Sequence, residues 1–155
     1  MHLLTHSVSG ISEAMSERRQ MQPEVESRSD PESSSGRPRA TLLSVGNDEA
    51  LLSYRSKILK LAGFEVITAQ PQPDAANQFA TLCRLHEFAM AIACHTLTPE
   101  QRLALARQLR DTCPSMPLVA LTNGALFDGE IEFYDVLLDS LDGPVELIRQ
   151  LRSRL

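Results

Sequence analysis

The feature that most constrains the fold is an alternation that begins at Thr41 and runs to the C-terminus. Short apolar runs are separated by segments whose apolar residues recur at helical spacing. Thr41-Leu42-Leu43-Ser44-Val45 reads as a buried strand, and Gly46-Asn47-Asp48 turns the chain and supplies N-cap oxygens. Leu51, Leu52, Ile58, Leu59 and Ala62 then share one helical stripe, which Gly63 ends. Phe64–Thr68 is a second strand. A second helix is expected to open at Pro73-Asp74 and to carry Ala76, Phe79, Leu82 and Cys83. Phe88–Ala93, apolar throughout, is a third strand covered on both faces. Thr98-Pro99-Glu100-Gln101 has the form of a capping box with Pro at the first helical position. Leu103, Ala106, Leu109 and Cys113 follow as that helix's stripe. Pro117–Leu121 and Val136–Leu138 complete the strands, and Gly143-Pro144 opens a last helix bearing Leu147, Ile148, Leu151 and Leu155. Parallel strands need long crossovers, so strands alternating with helices imply a doubly wound α/β sheet with helices on both faces.

Residues 1–39 read differently. The first forty residues hold nine serines, three prolines, six acidic residues and five arginines. Past Ile11 their only aliphatic or Met side chains are Met15, Met21 and Val25. Such a segment cannot bury enough apolar surface to offset about 1–2 kcal/mol of backbone entropy per residue. The expectation is a disordered N-terminal tail followed by one domain over 40–155, with Met15 and Met21 as alternative initiators to Met1.

Composition narrows the function classes. The chain carries 15 Lys+Arg against 20 Asp+Glu, a net charge of −5. A general nucleic-acid binder needs a basic face, so no nucleic-acid partner is expected. No run approaches the roughly twenty apolar residues of a membrane span, and the N-terminus has no signal-peptide pattern, so a cytoplasmic protein without a membrane partner is expected. Cys83, Cys94 and Cys113 lack the C-x-x-C spacing of zinc or redox sites. Neither a metal nor a cofactor is expected, and the glycines form no phosphate-cradling motif.

The domain resembles the receiver domains of bacterial response regulators, a flavodoxin-like fold with sheet order 2-1-3-4-5. The resemblance is carried by Leu42-Leu43-Ser44-Val45-Gly46-Asn47-Asp48-Glu49 and by Gly63-Phe64-Glu65-Val66, sixteen residues after Asn47. Cys94-His95-Thr96-Leu97-Thr98-Pro99 after an apolar strand and Pro117–Thr122 complete it. It implies a phosphoryl-transfer site at the C-terminal strand ends. There, an acidic pair holds Mg²⁺, an Asp takes the phosphoryl group, and a hydroxyl and a Lys contact its oxygens. Carried over, the pair falls on Gly46 and Asn47, the acceptor on Cys94, the hydroxyl on Thr122 and the lysine on Asp139 or Ser140. Only Thr122 matches. A one-residue slip would place Asn47 and Asp48 at the pair and supply one carboxylate. Mg²⁺ wants hard oxygen ligands that include a carboxylate. Glycine offers no side-chain ligand, a thiol does not form the family's acyl-phosphate, and Asp139 would repel a phosphoryl group. The span from Thr122 to Asp139, 17 residues, is shorter than the family's, so the fourth helix is expected to be short or missing.

These residues lead to a stand-alone degenerate receiver-like module that is not an enzyme, takes no phosphoryl group and works by protein contact. Its partner would be a histidine kinase, another regulator or a second copy. The alternative is a cysteine-based enzyme or redox sensor built around Cys94-His95. A C-x5-R phosphatase is disfavoured, because Glu100, Ala89 and Val119 stand six residues after Cys94, Cys83 and Cys113. Asp48, Glu49 and Asp139 are expected near Cys94, raising its pKa. Arg102, Arg107, Arg110, Arg149, Arg152 and Arg154 are expected on solvated helix faces.

Overall fold

The computed structural model describes residues 38–124 and 131–155. Five parallel strands form one sheet: β1 Thr41–Val45, β2 Glu65–Ala69, β3 Met90–Ala93, β4 Leu118–Thr122 and β5 Val136–Asp139, in the order β2-β1-β3-β4-β5. The helices are α1 Glu49–Leu61, α2 Gln78–Leu85, α3 Pro99–Thr112 and α4 Gly143–Arg152, the last preceded by a 3-10 turn at Ser140–Asp142. The flavodoxin-like order expected from the sequence is therefore present. The segment expected to hold a short or missing fourth helix includes residues 125–130, which lie outside the described residues, as do residues 1–37 of the expected tail.

Successive strand side chains point to opposite faces, and the core divides accordingly. Leu43, Val45, Ala91, Ala93, Leu118 and Ala120 pack with Phe79 of α2 and Leu105, Ala106 and Leu109 of α3. Leu42, Met90, Ile92, Val119, Leu121, Val136 and Leu138 pack with Leu59 of α1 and Leu147 and Leu151 of α4.

Local chemistry sets the helix ends. The Asp48 side chain accepts from the Leu51 N–H and starts α1. Gly63, at φ +100°, lets the chain leave that helix, with its N–H bonded to the Lys60 carbonyl and the Phe64 N–H to that of Leu59. Thr98 and Gln101 make the reciprocal capping box of α3.

Two expectations need correction. Helix α2 begins at Gln78, not at Pro73-Asp74. The Gln78 side chain accepts from the Gln72 N–H and donates to the Gln70 carbonyl, holding the preceding residues as turns. On α3 the buried residues are Arg102, Leu105, Ala106 and Leu109, while Leu103 is only half-buried.

The arginines differ from expectation as well. Arg102 is 7% exposed. Arg110 donates to the carbonyls of Phe133, Pro114 and Met116 and pairs with Asp135 at 2.8 Å. Arg110 is structural, tying α3 to the chain around β4 and β5. Among the others, Arg149 pairs with Glu146 and Arg152 donates to the Ala62 carbonyl at 3.0 Å. No described helix is long and apolar enough to cross a membrane.

Candidate functional site

In an open parallel sheet the chemistry belongs at the C-terminal strand ends. The register aligns Val45 with Ala93 and Thr122 with Asp139. Gly46, Asn47 and Cys94 therefore lie together, while Thr122 and Asp139 are neighbours across β4 and β5.

Gly46 is set by space. A β-carbon there would stand 2.9 Å from Thr96 Oγ1, 3.0 Å from Cys94 Cβ and 3.3 Å from Cys94 Sγ. The β1–α1 turn thus approaches the β3–α3 turn closely enough to bond to it directly. The Asn47 N–H donates to Thr96 Oγ1 at 2.9 Å, and Asn47 Nδ2 donates to the Thr96 carbonyl at 2.9 Å and to Gln101 Oε1 at 2.7 Å. Every one of these groups is neutral.

Cys94 is 1% exposed. It continues the alternation of Ile92, so its side chain belongs to the α1/α4 face. There Sγ lies 3.7 Å from Ser44 Oγ and receives a hydrogen bond from Arg55 Nη1 at 2.8 Å. Burial pushes the Cys94 thiol up, and the Arg55 charge and the hydrogen bonds from Ser44 and Arg55 pull it part of the way back. The charged neighbour is thus an arginine where carboxylates were expected. Asp48 and Asp139 are engaged elsewhere: Asp48 caps α1, and Asp139 Oδ1 accepts from the Leu141 N–H at 2.9 Å, starting the 3-10 turn. Thr122, the one residue matching the family's pattern, donates to the Leu138 carbonyl at 3.4 Å, a long bond.

Arg55 was not singled out in the sequence. Its signal was there: it stands four residues after Leu51 and three before Ile58, a charge inside the apolar stripe of α1. Besides reaching Cys94 it lines an apolar cleft of about 130 Å³ between α1, β5 and α4, with Tyr54, Ile58, Leu138 and Leu147.

The His95 pKa is lowered from its ordinary value. Burial lowers its pKa first, then the charge of Arg55, with Asp48 opposing. Its Nδ1 is buried with no hydrogen-bond partner among the described residues. Among the described residues no hydrogen bond joins His95 to Cys94, and no cluster of three or more His, Cys, Asp or Glu could hold a metal ion.

The fold has many solved counterparts. A CheY-like response regulator receiver domain from Methylobacillus flagellatus superposes with a TM-score of 0.62 at 18% identity, over 76% of this chain and 100% of that one. The chemotaxis protein CheY4 of Vibrio cholerae gives 0.63 at 18%, over 76% and 100%. The receiver domain of a Pseudomonas aeruginosa sensor histidine kinase, solved with magnesium in its active-site cleft, gives 0.62 at 16%, over 76% and 98%. No family model matches the sequence, and no curated protein matches it. At these identities the likeness is one of fold: the chain has the architecture of CheY-like receiver domains.

Proposed function

We propose that this chain is a receiver-like signalling module that works through protein contacts, without phosphorylation on aspartate and without enzymatic activity. The carrying observation is Cys94 at the end of β3, buried and bonded through Sγ to Arg55 and Ser44. The resemblance puts the acceptor carboxylate at that position. Gly46 supports the same reading, since no side chain fits where a metal-binding carboxylate would be needed. A histidine kinase, another regulator or a second copy of the chain are the partner classes that suit a receiver fold. Incubation with acetyl phosphate and Mg²⁺ tests the reading by intact mass. The expected mass is unchanged; gain of one phosphoryl group, abolished by substituting Asp48 or Thr122, would overturn it.

A second reading has one observation in its favour. A guanidinium 2.8 Å from a sulfur is an arrangement that can hold a thiolate. Near-complete burial and the absence of a hydrogen-bonded base weigh against a nucleophile that must meet a substrate. Rapid, selective labelling of Cys94 at neutral pH would favour thiol chemistry over the signalling module.

A further inference from the structure

The other two cysteines lie away from the strand ends. Cys83 is on α2, two residues before its end, and Cys113 is the C-cap of α3. Both are half-buried free thiols. Both pack against the same core face, beside Phe79, Leu109 and Met116. Both open onto one surface cleft shared with Phe88 and Pro114, and Cys113 is near enough to Cys83 to raise its pKa. The backbone at Cys113 is fixed on both sides: its N–H bonds to the Leu109 carbonyl at 2.7 Å, and its carbonyl accepts from the Met116 N–H at 3.0 Å.

We propose that Cys83 and Cys113 form a dithiol that closes to an intramolecular disulfide by exchange with a small-molecule disulfide, tying the end of α2 to the end of α3. Sequence spacing hid the pair, because thirty positions separate the two residues. The packing of α2 on α3 brings them together at an opening that a small disulfide can enter.

The chemistry follows the usual two exchanges. A thiolate of the pair attacks one sulfur of the small disulfide, whose S–S bond breaks, and the departing thiolate takes up the proton released. The second protein sulfur then attacks the mixed disulfide on the first, expelling the other half of the reagent as a thiol. The protein loses two hydrogens and two electrons, and the reagent is reduced to two thiols. Burial first, then the hydrogen bond and charge of Cys113, push the Cys83 thiol up to about 12. Cys94 takes no part, since it is fully buried on the opposite face of the sheet.

The test uses the full chain equilibrated with mixtures of oxidised and reduced glutathione, natively and in urea. Cleavage after Arg84, Arg102 and Arg110 puts the three cysteines on separate peptides. The expected native product has lost two hydrogens, links the Cys83 and Cys113 peptides and leaves Cys94 free. Its closure constant should exceed that in urea by about tenfold or more, because the fold holds the sulfurs together. Cys83→Ser and Cys113→Ser should each stop at one glutathione adduct, and Cys94→Ser should still close. Persistent glutathione adducts on the native wild type, a link through Cys94, covalent dimers, or equal closure constants in the two conditions would each overturn the proposal. Retention of all three thiols would do the same.

Discussion

Single atoms decide most at Gly46 and Cys94. A methyl group at Gly46 would press on Thr96 Oγ1, which is short, fixed and already accepting the Asn47 N–H. Gly46→Ala is expected to cost about 1–3 kcal/mol, the usual penalty of overpacking, read as a lower urea midpoint at an unchanged slope. Gly46→Asp should be at least as destabilising, so restoring the family's carboxylate does not restore a metal site. Cys94 should react with a thiol reagent at pH 7 at least about tenfold more slowly than in the unfolded chain, because burial holds the thiol protonated and inaccessible. Arg55→Ala removes the charge and hydrogen bond that favour the thiolate. The labelling profile of Cys94 should then shift to higher pH, while a shift to lower pH would contradict the role given to Arg55. The sequence pointed to Gly46, Asn47 and Cys94 because the resemblance to receiver domains assigns roles to those strand-end positions. Arg55's place inside the apolar stripe of α1 was legible, but no local pattern records where the tip of a long side chain ends.

Among the elements, α1 and α3 were legible because their ends are written in short-range chemistry: Asp48 and Gly63 for one, Thr98-Pro99 and Gln101 for the other. The start of α2 was not, since Gln78 ties down the chain six to eight positions back, beyond any capping motif. The role of Arg110 was hidden for the same reason, as its acceptors lie on the chain that leads into β4 and β5. Asp135 shows what such a tie contributes. Burial alone would raise its pKa, but the Leu118 N–H, the Arg110 hydrogen bond, and the charges of Arg110 and Arg154 together hold it below the usual carboxylate value. A depressed folded-state pKa adds stability that is present above the unfolded pKa and lost as pH falls through the folded one. Asp135→Asn should therefore be less stable than wild type at neutral pH, and the difference should shrink as pH drops below about 4, followed by urea denaturation at a series of pH values. The α2–α3 disulfide would close a loop of about thirty residues. It should stabilise the oxidised chain by roughly 3–4 kcal/mol if the native geometry accepts it without strain.

At the scale of the whole molecule, the sheet order was legible because alternating strands and helices leave few topologies open, and the two-faced core follows from strand pleating. The site was legible only as a set of departures, because the resemblance names positions and cannot say what replaces their chemistry. At the positions the resemblance names, a neutral Asn47–Thr96–Gln101 network joins the two turns, and Arg55 on Cys94 places a fixed cation at the strand ends. A divalent cation at the strand ends would face a guanidinium, and the nearby Asp48 carboxylate is already bound to the head of α1. A ligand that binds only the folded state raises its stability by RT ln(1 + [L]/Kd), about 2.7 kcal/mol at a hundred times Kd. In a domain of this size such a gain moves the melting midpoint by roughly ten degrees. Millimolar Mg²⁺, with or without acetyl phosphate and against NaCl of matched ionic strength, is expected to move the midpoint of this chain by less than about one degree. A rise of several degrees that saturates with Mg²⁺ and disappears in Asp48→Asn would show a working cation site and would sink the account of a scaffold kept without its phosphoryl chemistry.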